Sequence, residues 1–343
     1  MLKSHCAGTF KDLLHAVSKD PAMIYWLDNQ LNVVGKPNEN FAREVMELFT
    51  IGIGNYTEQD VKQAARAFTG WRYGVRRGQR VIPNDRVPGR QSEFLFVANQ
   101  HDQGQKEFRG SKAPFNGEDV LDILAIDPLT AKAIVKKFWE WFAYPNPEAT
   151  VIEQGANAWR KSGMEIKALV KWVMESQEFY SERATRAIIK NPVDFAIPAA
   201  RALGLGSIIA AQHRDGVELR RLLPPVQNMQ RACKAMGMDL LYPPDVAGWN
   251  IGKSWISTAT MVERIKLADS LFNPRSGALA TNLIGSARDS EEVASRLVSL
   301  FDATLPPAKL RQLATAAEAH SQPAQKANAV AKLILGSPEF QFC

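Results

Sequence analysis

Residues 37–71 read PNENFAREVMELFTIGIGNYTEQDVKQAARAFTGW, and this stretch decides the fold. Phe41, Val45, Leu48 and Phe49 recur at helical spacing, which predicts a helix with one apolar stripe. Asn38 or Asn40 can cap its start, because a short side-chain oxygen accepts from a free backbone N–H of the first turn. Gly52 and Gly54 end the helix, and Asn55–Tyr56 turns the chain. Thr57 then caps a second helix, with Asp60 as the acid of a capping box. Val61, Ala64, Ala65 and Phe68 supply its buried face, and Gly70 stops it before Trp71. A helical hairpin of this kind belongs to a mainly α, bundle-like fold.

The polar residues of the same stretch suggest chemistry. Asn40, Glu44 and Glu47 are spaced by four and three, so they share a helix face, with Asn38 just ahead of them. Arg43 is four residues from Glu47, and Asp60 and Arg66 follow on the second helix. Two readings stand: a solvated face of ion pairs and caps, or a polar ligand pocket on which Asn40, Arg43, Glu44 and Glu47 converge.

Further on, HDQGQKEFRG at 101–110 sets His101 beside Asp102, with Lys106 four residues later. A histidine and a carboxylate can act as a metal-ligand pair or an acid/base pair, and a lysine can hold an anion. The plainer reading is a turn with His101 bonded to backbone. A hydrolase on this chain would use Glu44 or Glu47 with His101 and Asp102 as acid and base. A divalent cation would fall to His101, Asp102 and Glu44.

Working outward, residues 9–18 and 21–28 read as short helices divided at Asp20–Pro21. After Trp71 the texture becomes rich in Gly, Pro and Arg, and EFLFVANQHD at 93–102 alternates as a strand does. Residues 71–110 are therefore expected to be a small β-rich insertion of two or three strands. It carries Arg72, Arg76, Arg77, Arg80, Arg86 and Arg90 among Trp71, Tyr73, Phe94 and Phe96. That mixture suits an anionic polymer or a solvated hairpin, and no nucleic-acid motif accompanies it. Asn116 caps a further helix. Trp139, Trp141 and Phe142 read as core residues of the next one.

An internal echo lies beyond it. AKAIVKKFWEWF at 131–142 leads through two helical segments to KWVMESQEF at 171–179, and VASRLVSLF at 293–301 leads in the same way to AKLILGSPEF at 331–340. A three-helix unit used twice, at 131–180 and 293–341, accounts for it. The domain division expected is 1–127, with the signature helices and the insertion, and 128–343, with the two units, in one assembly. Between the units, PPDVAGWNIGKSWI at 243–256 is a helix-breaking loop, and Trp249 and Trp255 must dock for it to stay ordered. They would pack on the signature helices or form the aromatic wall of a ligand pocket.

Composition narrows the classes. The 343 residues carry a net charge of +6, mildly basic. No apolar run approaches the roughly 18 residues that span a bilayer. Cys6, Cys233 and Cys343 have neither metal-like spacing nor an even count, and Cys233 reads as a buried small apolar side chain. No phosphate loop, dinucleotide fingerprint, zinc-protease pair or nucleophile elbow is present.

The signature, together with DPAMIYWLDN at 20–29, HDQGQKEFRG at 101–110 and PPDVAGWNIGKSWI at 243–256, resembles the domain of unknown function 1800 family. The matches occur in family order over nearly the whole chain. The resemblance implies a bacterial, mostly helical and commonly exported protein, periplasmic or extracellular, often encoded beside a phosphatase- or sulfatase-like partner. It implies no activity. The family usually carries a further N-terminal region with an export signal. Here MLKSHCAGTF lacks the apolar core of a signal peptide, so a fragment or a downstream start is expected, and the cytoplasm is the location otherwise.

Overall fold

Helices dominate this chain because caps precede apolar residues that recur every three or four positions. The computed structural model describes residues 1–77, 80–83, 91–272 and 277–343. Contacts divide the chain into unit 1, Met1–Ala184, and unit 2, Thr185–Cys343. The division expected after residue 127 falls inside unit 1, where the Asp127 side chain accepts from Leu129 N–H and caps the next helix.

Unit 1 opens with α1 (Leu2–His5), α2 (Phe10–Ser18) and α3 (Pro21–Trp26). The signature forms α4 (Asn40–Glu44), a π-helical turn (Val45–Phe49) and α5 (Glu58–Ala67). The insertion gives β1 (Trp71–Arg77), β2 (Arg80–Pro83) and β3 (Ser92–Phe96) as an antiparallel sheet in the order β2-β1-β3. A hairpin of β4 (Lys106–Phe108) and β5 (Ser111–Ala113) comes next. Then come α6 (Gly117–Ile126), α7 (Pro128–Phe142), α8 (Ala149–Lys161) and α9 (Ile166–Glu175).

Aromatic edges join the hairpin to the sheet. Phe41 meets Phe68 at 4.8 Å, Phe68 meets Trp71 at 5.2 Å, and Trp71 meets Phe94 at 5.2 Å between ring centroids. Helix α6 starts against this stack at Gly117, where a Cβ would lie 2.5 Å from the Trp71 ring. The arginines of the insertion do not simply face water. Arg72 is buried and donates twice to Gln100 Oε1, at 2.9 and 2.6 Å, and burial lowers its pKa. Arg76 pairs with Glu93 at 2.8 Å. Arg86 and Arg90, and the side chains of Arg77 and Arg80, lie outside the described residues.

Unit 2 comprises α10 (Pro192–Ala202), α11 (Leu205–Arg214), α12 (Leu219–Leu222), α13 (Pro224–Ala235), α14 (Thr258–Leu271), α15 (Gly277–Ile284), α16 (Ser290–Leu300), α17 (Pro307–Glu318) and α18 (Pro323–Gly336). Its core gathers Phe195, Phe272, Phe301 and Phe340 with Val293, Leu297 and Ile334. Phe340 meets Phe195 at 5.6 Å and Phe301 at 6.0 Å, both edge-on.

The two segments expected to repeat end alike. Helices α7, α8 and α9 end in a 3₁₀ turn at Glu178–Tyr180, and α16, α17 and α18 end in one at Glu339–Gln341. The matching serines close their helices alike. Ser176 Oγ donates to Val173 O at 2.7 Å, Ser337 Oγ to Ile334 O at 2.8 Å, and both residues are extended. Trp139 is fully buried as expected, but Trp141 and Phe142 are 57% and 51% exposed. On one helix, three aromatics within four residues cannot all face one core. Among the described residues no single helix is long and apolar enough to cross a membrane.

Candidate functional site

The signature begins with a brace. Asn32 is fully buried; its amide donates to Ala65 O at 2.9 Å and to Asn29 Oδ1 at 3.1 Å, and its carbonyl oxygen accepts from Asn38 N–H at 3.0 Å. Asn38 in turn accepts from Asn40 N–H at 2.9 Å. Of the two candidate caps, Asn38 therefore orders the start of α4, while the Asn40 side chain is exposed.

The π-helical turn then breaks the expected stripe. A turn with one extra residue rotates the side chains beyond it, so Phe41, Ala42, Val45 and Met46 are buried while Leu48 and Phe49 are half-buried. The widened turn leaves carbonyls to satisfy. Thr50 Oγ1 donates to Val45 O at 2.7 Å, and Lys137 donates to Leu48 O.

The charged residues of the hairpin are engaged. Arg43 forks onto Glu58 at 2.8 and 2.7 Å and reaches Glu39 at 3.3 Å. The Glu58 hydrogen bonds push the arginine pKa up, and the arginine holds Glu58 below the usual range. Glu47 accepts from Tyr56 Oη, which raises the phenol pKa. Glu44 is half-buried and has an interaction of its own. Thr57 and Asp60 form the expected capping box. Asp60 also accepts from Arg109 N–H at 3.0 Å, bracing the left-handed Arg109–Gly110 turn of the β4–β5 hairpin.

The HDQGQK loop packs against the end of α5. Arg66 donates to Asp102 through Nε at 2.7 Å and Nη2 at 3.1 Å, the bidentate geometry that favours a charged pair. Gly104 N–H donates to Asp102 Oδ1 at 2.8 Å. A Cβ on Gly104 would sit 3.0 Å from Arg66 Nη2 and 3.1 Å from Asp102 Oδ1, so glycine gives the pair its room. Asp102 N–H donates to Thr69 Oγ1 at 2.8 Å. Lys106 is fully buried and donates to Asp102 O at 2.6 Å and Gly104 O at 3.0 Å, with the Asp102 carboxylate 4.0 Å away. The Arg66 hydrogen bonds keep the Asp102 pKa low, and burial lowers that of Lys106.

The His101 ring has partners apart from the Asp102 carboxylate. Its Nδ1 lies 2.9 Å from Thr69 O, which fixes Nδ1 as the donor, and Phe96 packs on its ring at 5.3 Å. Nε2 has no partner among the described residues. The His101 ring and the Asp102 carboxylate thus bond different groups, and His101, Asp102 and Glu44 do not gather as a ligand set. Among the described residues no group of three or more His, Cys, Asp and Glu side chains is arranged for a metal ion.

Sequence spacing brought Glu47, Arg43 and Asn40 onto one helix. It missed their partners Tyr56 and Glu58, and it missed Arg66 and Thr69 as partners of the loop. Those partners come from other elements, and only Thr57–Asp60 carried a local signal. Trp249 and Trp255 belong to unit 2. Trp255 is buried beside Gly237, whose added Cβ would lie 3.6 Å from its ring, and Trp249 is half-buried.

The fold and these contacts define a helical protein of two units whose motif residues mostly bond one another. The model of the family described as "Protein of unknown function (DUF1800)" matches residues 1–342, so the chain belongs to that family. No curated protein and no solved structure matches it.

Proposed function

We propose that this chain is a helical binding or scaffold protein, with the signature and the HDQGQK loop as the frame of unit 1. The observation that carries this reading is the engagement of Asp102. Arg66 and Gly104 N–H occupy its carboxylate, and Lys106 is bonded to its carbonyl. A general base needs a free lone pair within reach of a substrate proton, and a carboxylate held low by a bidentate arginine is a poor one. Glu47 and Arg43 are committed in the same way.

A second reading, a hydrolase, is favoured by His101 alone. Its Nδ1 is anchored on a carbonyl, which orients Nε2 as an acceptor, and a divalent cation would find one ligand there. Hydrolysis of chromogenic phosphate, sulfate and carboxylate esters by wild type and His101→Ala tests the choice. The scaffold reading expects no turnover that His101→Ala removes. Turnover lost in that variant would replace it with the hydrolase. Export and a phosphatase- or sulfatase-like partner are proposals supported by the family resemblance. Pull-down of a phosphatase encoded beside this chain tests the partner.

A further inference from the structure

The connection from α13 to α14 has two unlike sides. On the inside, Met236, Met238 and Trp255 are buried. On the outside, Leu240 is 46% exposed, Leu241 94%, Tyr242 74% and Ile251 52%. Leu240 and Leu241 occupy the centre of a turn closed by Tyr242 N–H to Asp239 O at 3.0 Å. Its base is fixed to α13 by Lys234 and Asp239, 2.6 Å apart.

Leu241 has φ +64, a left-handed backbone at a turn position where glycine or asparagine is favoured. The chain uses glycine at the other left-handed positions of this loop, Gly237, Gly248 and Gly252. A leucine that strains the backbone yet buries almost nothing contributes little to folding of the free chain. Its return must come from something that covers it.

Charge identifies the covering. Glu218 is paired with Arg220 and Asp239 with Lys234, while Asp245 accepts from Ala247 N–H in its own turn. Arg221, Arg231 and Lys253 are exposed and make no ion pair among the described residues, and with Asp245 counted as an anion the stretch 218–253 is still net positive. The stretch therefore offers an apolar tip with cations in excess. A single turn is far smaller than the roughly 1,200–2,000 Å² of a stable protein interface. Leucines with a tyrosine and basic residues are the elements of interfacial insertion into anionic lipid.

We propose that the Leu240–Tyr242 tip inserts into the interface of an anionic lipid bilayer, drawn there by the net positive charge of the stretch that carries it. This stands apart from the reading of unit 1, so neither test decides the other. The experiment is co-sedimentation of the full chain with vesicles of phosphatidylcholine alone and of phosphatidylcholine with phosphatidylglycerol. Binding is expected only to the second, and to weaken with salt. Leu241→Gly keeps the turn, so it should melt no lower than wild type while its vesicle affinity falls by about tenfold or more. Absence of wild-type binding, or equal binding by Leu241→Gly, would overturn the proposal. So would a dimer in light scattering that Leu241→Gly dissociates, which would assign the tip to a second copy of the chain.

Discussion

Asp102 joins three parts of the chain: α5 and the turn after it through Arg66 and Thr69, its own loop through Gly104, and the start of β4 through Lys106. Removing its charge leaves Arg66 and the buried Lys106 without their anion. Asp102→Asn should therefore lower unfolding free energy by about 2–3 kcal/mol in urea melts. The pH dependence has a definite sign. The folded pKa of Asp102 is depressed, so its contribution is full above the unfolded value of about 3.9 and is lost as pH falls toward the folded one. Wild type should lose stability below about pH 4 more steeply than Asp102→Asn, and parallel acid limbs would count against the assignment. The adjacency of His101 and Asp102 could be read from sequence, but their divergence could not. Asp102 is 36 residues from Arg66, and no local pattern couples such a pair.

Among the elements, those with local signals were legible. Thr57–Asp60 specified the start of α5, and alternation specified β3. The π-helical turn at Val45–Phe49 was not, because its residues fit the α-helical period until Thr50 and Lys137 take up its carbonyls. Glycine inside a helix is informative for a different reason. Gly155 lies within α8, where alanine would be favoured by about 1 kcal/mol on propensity. A Cβ there would lie 2.6 Å from the Trp172 ring and 2.8 Å from Val135 Cγ1, so close approach of α7, α8 and α9 requires its absence. Packing should win over propensity, and Gly155→Ala should destabilise by about 1–3 kcal/mol by thermal or urea unfolding. A stabilised variant would mean the three helices do not pack this closely.

At the scale of the whole molecule, the predominance of helix was readable, because apolar periodicity records which faces are buried. What ties unit 2 together was hidden. Arg264 reads as a surface residue of α14 but is fully buried, with Nη1 on Gln341 Oε1 at 2.8 Å and Nη2 on Lys190 O at 2.7 Å. Burial pulls its pKa down to about 10, and the Phe195 ring lies 4.9 Å from Cζ. It joins the entry to α10, α14 and the 3₁₀ turn at Glu339–Gln341. Lysine cannot reproduce this planar fork, so Arg264→Lys should cost about 2–4 kcal/mol in urea unfolding, and an unchanged midpoint would refute the role. For unit 1 the central claim is that the motif residues maintain a frame. The most direct test is urea unfolding of wild type and Asp102→Asn, each with chelator and with added manganese or magnesium. A less stable variant and a wild type indifferent to the ions are predicted. A variant as stable as wild type, with an ion-dependent gain in wild type that the variant loses, would contradict the claim and make the loop a metal site.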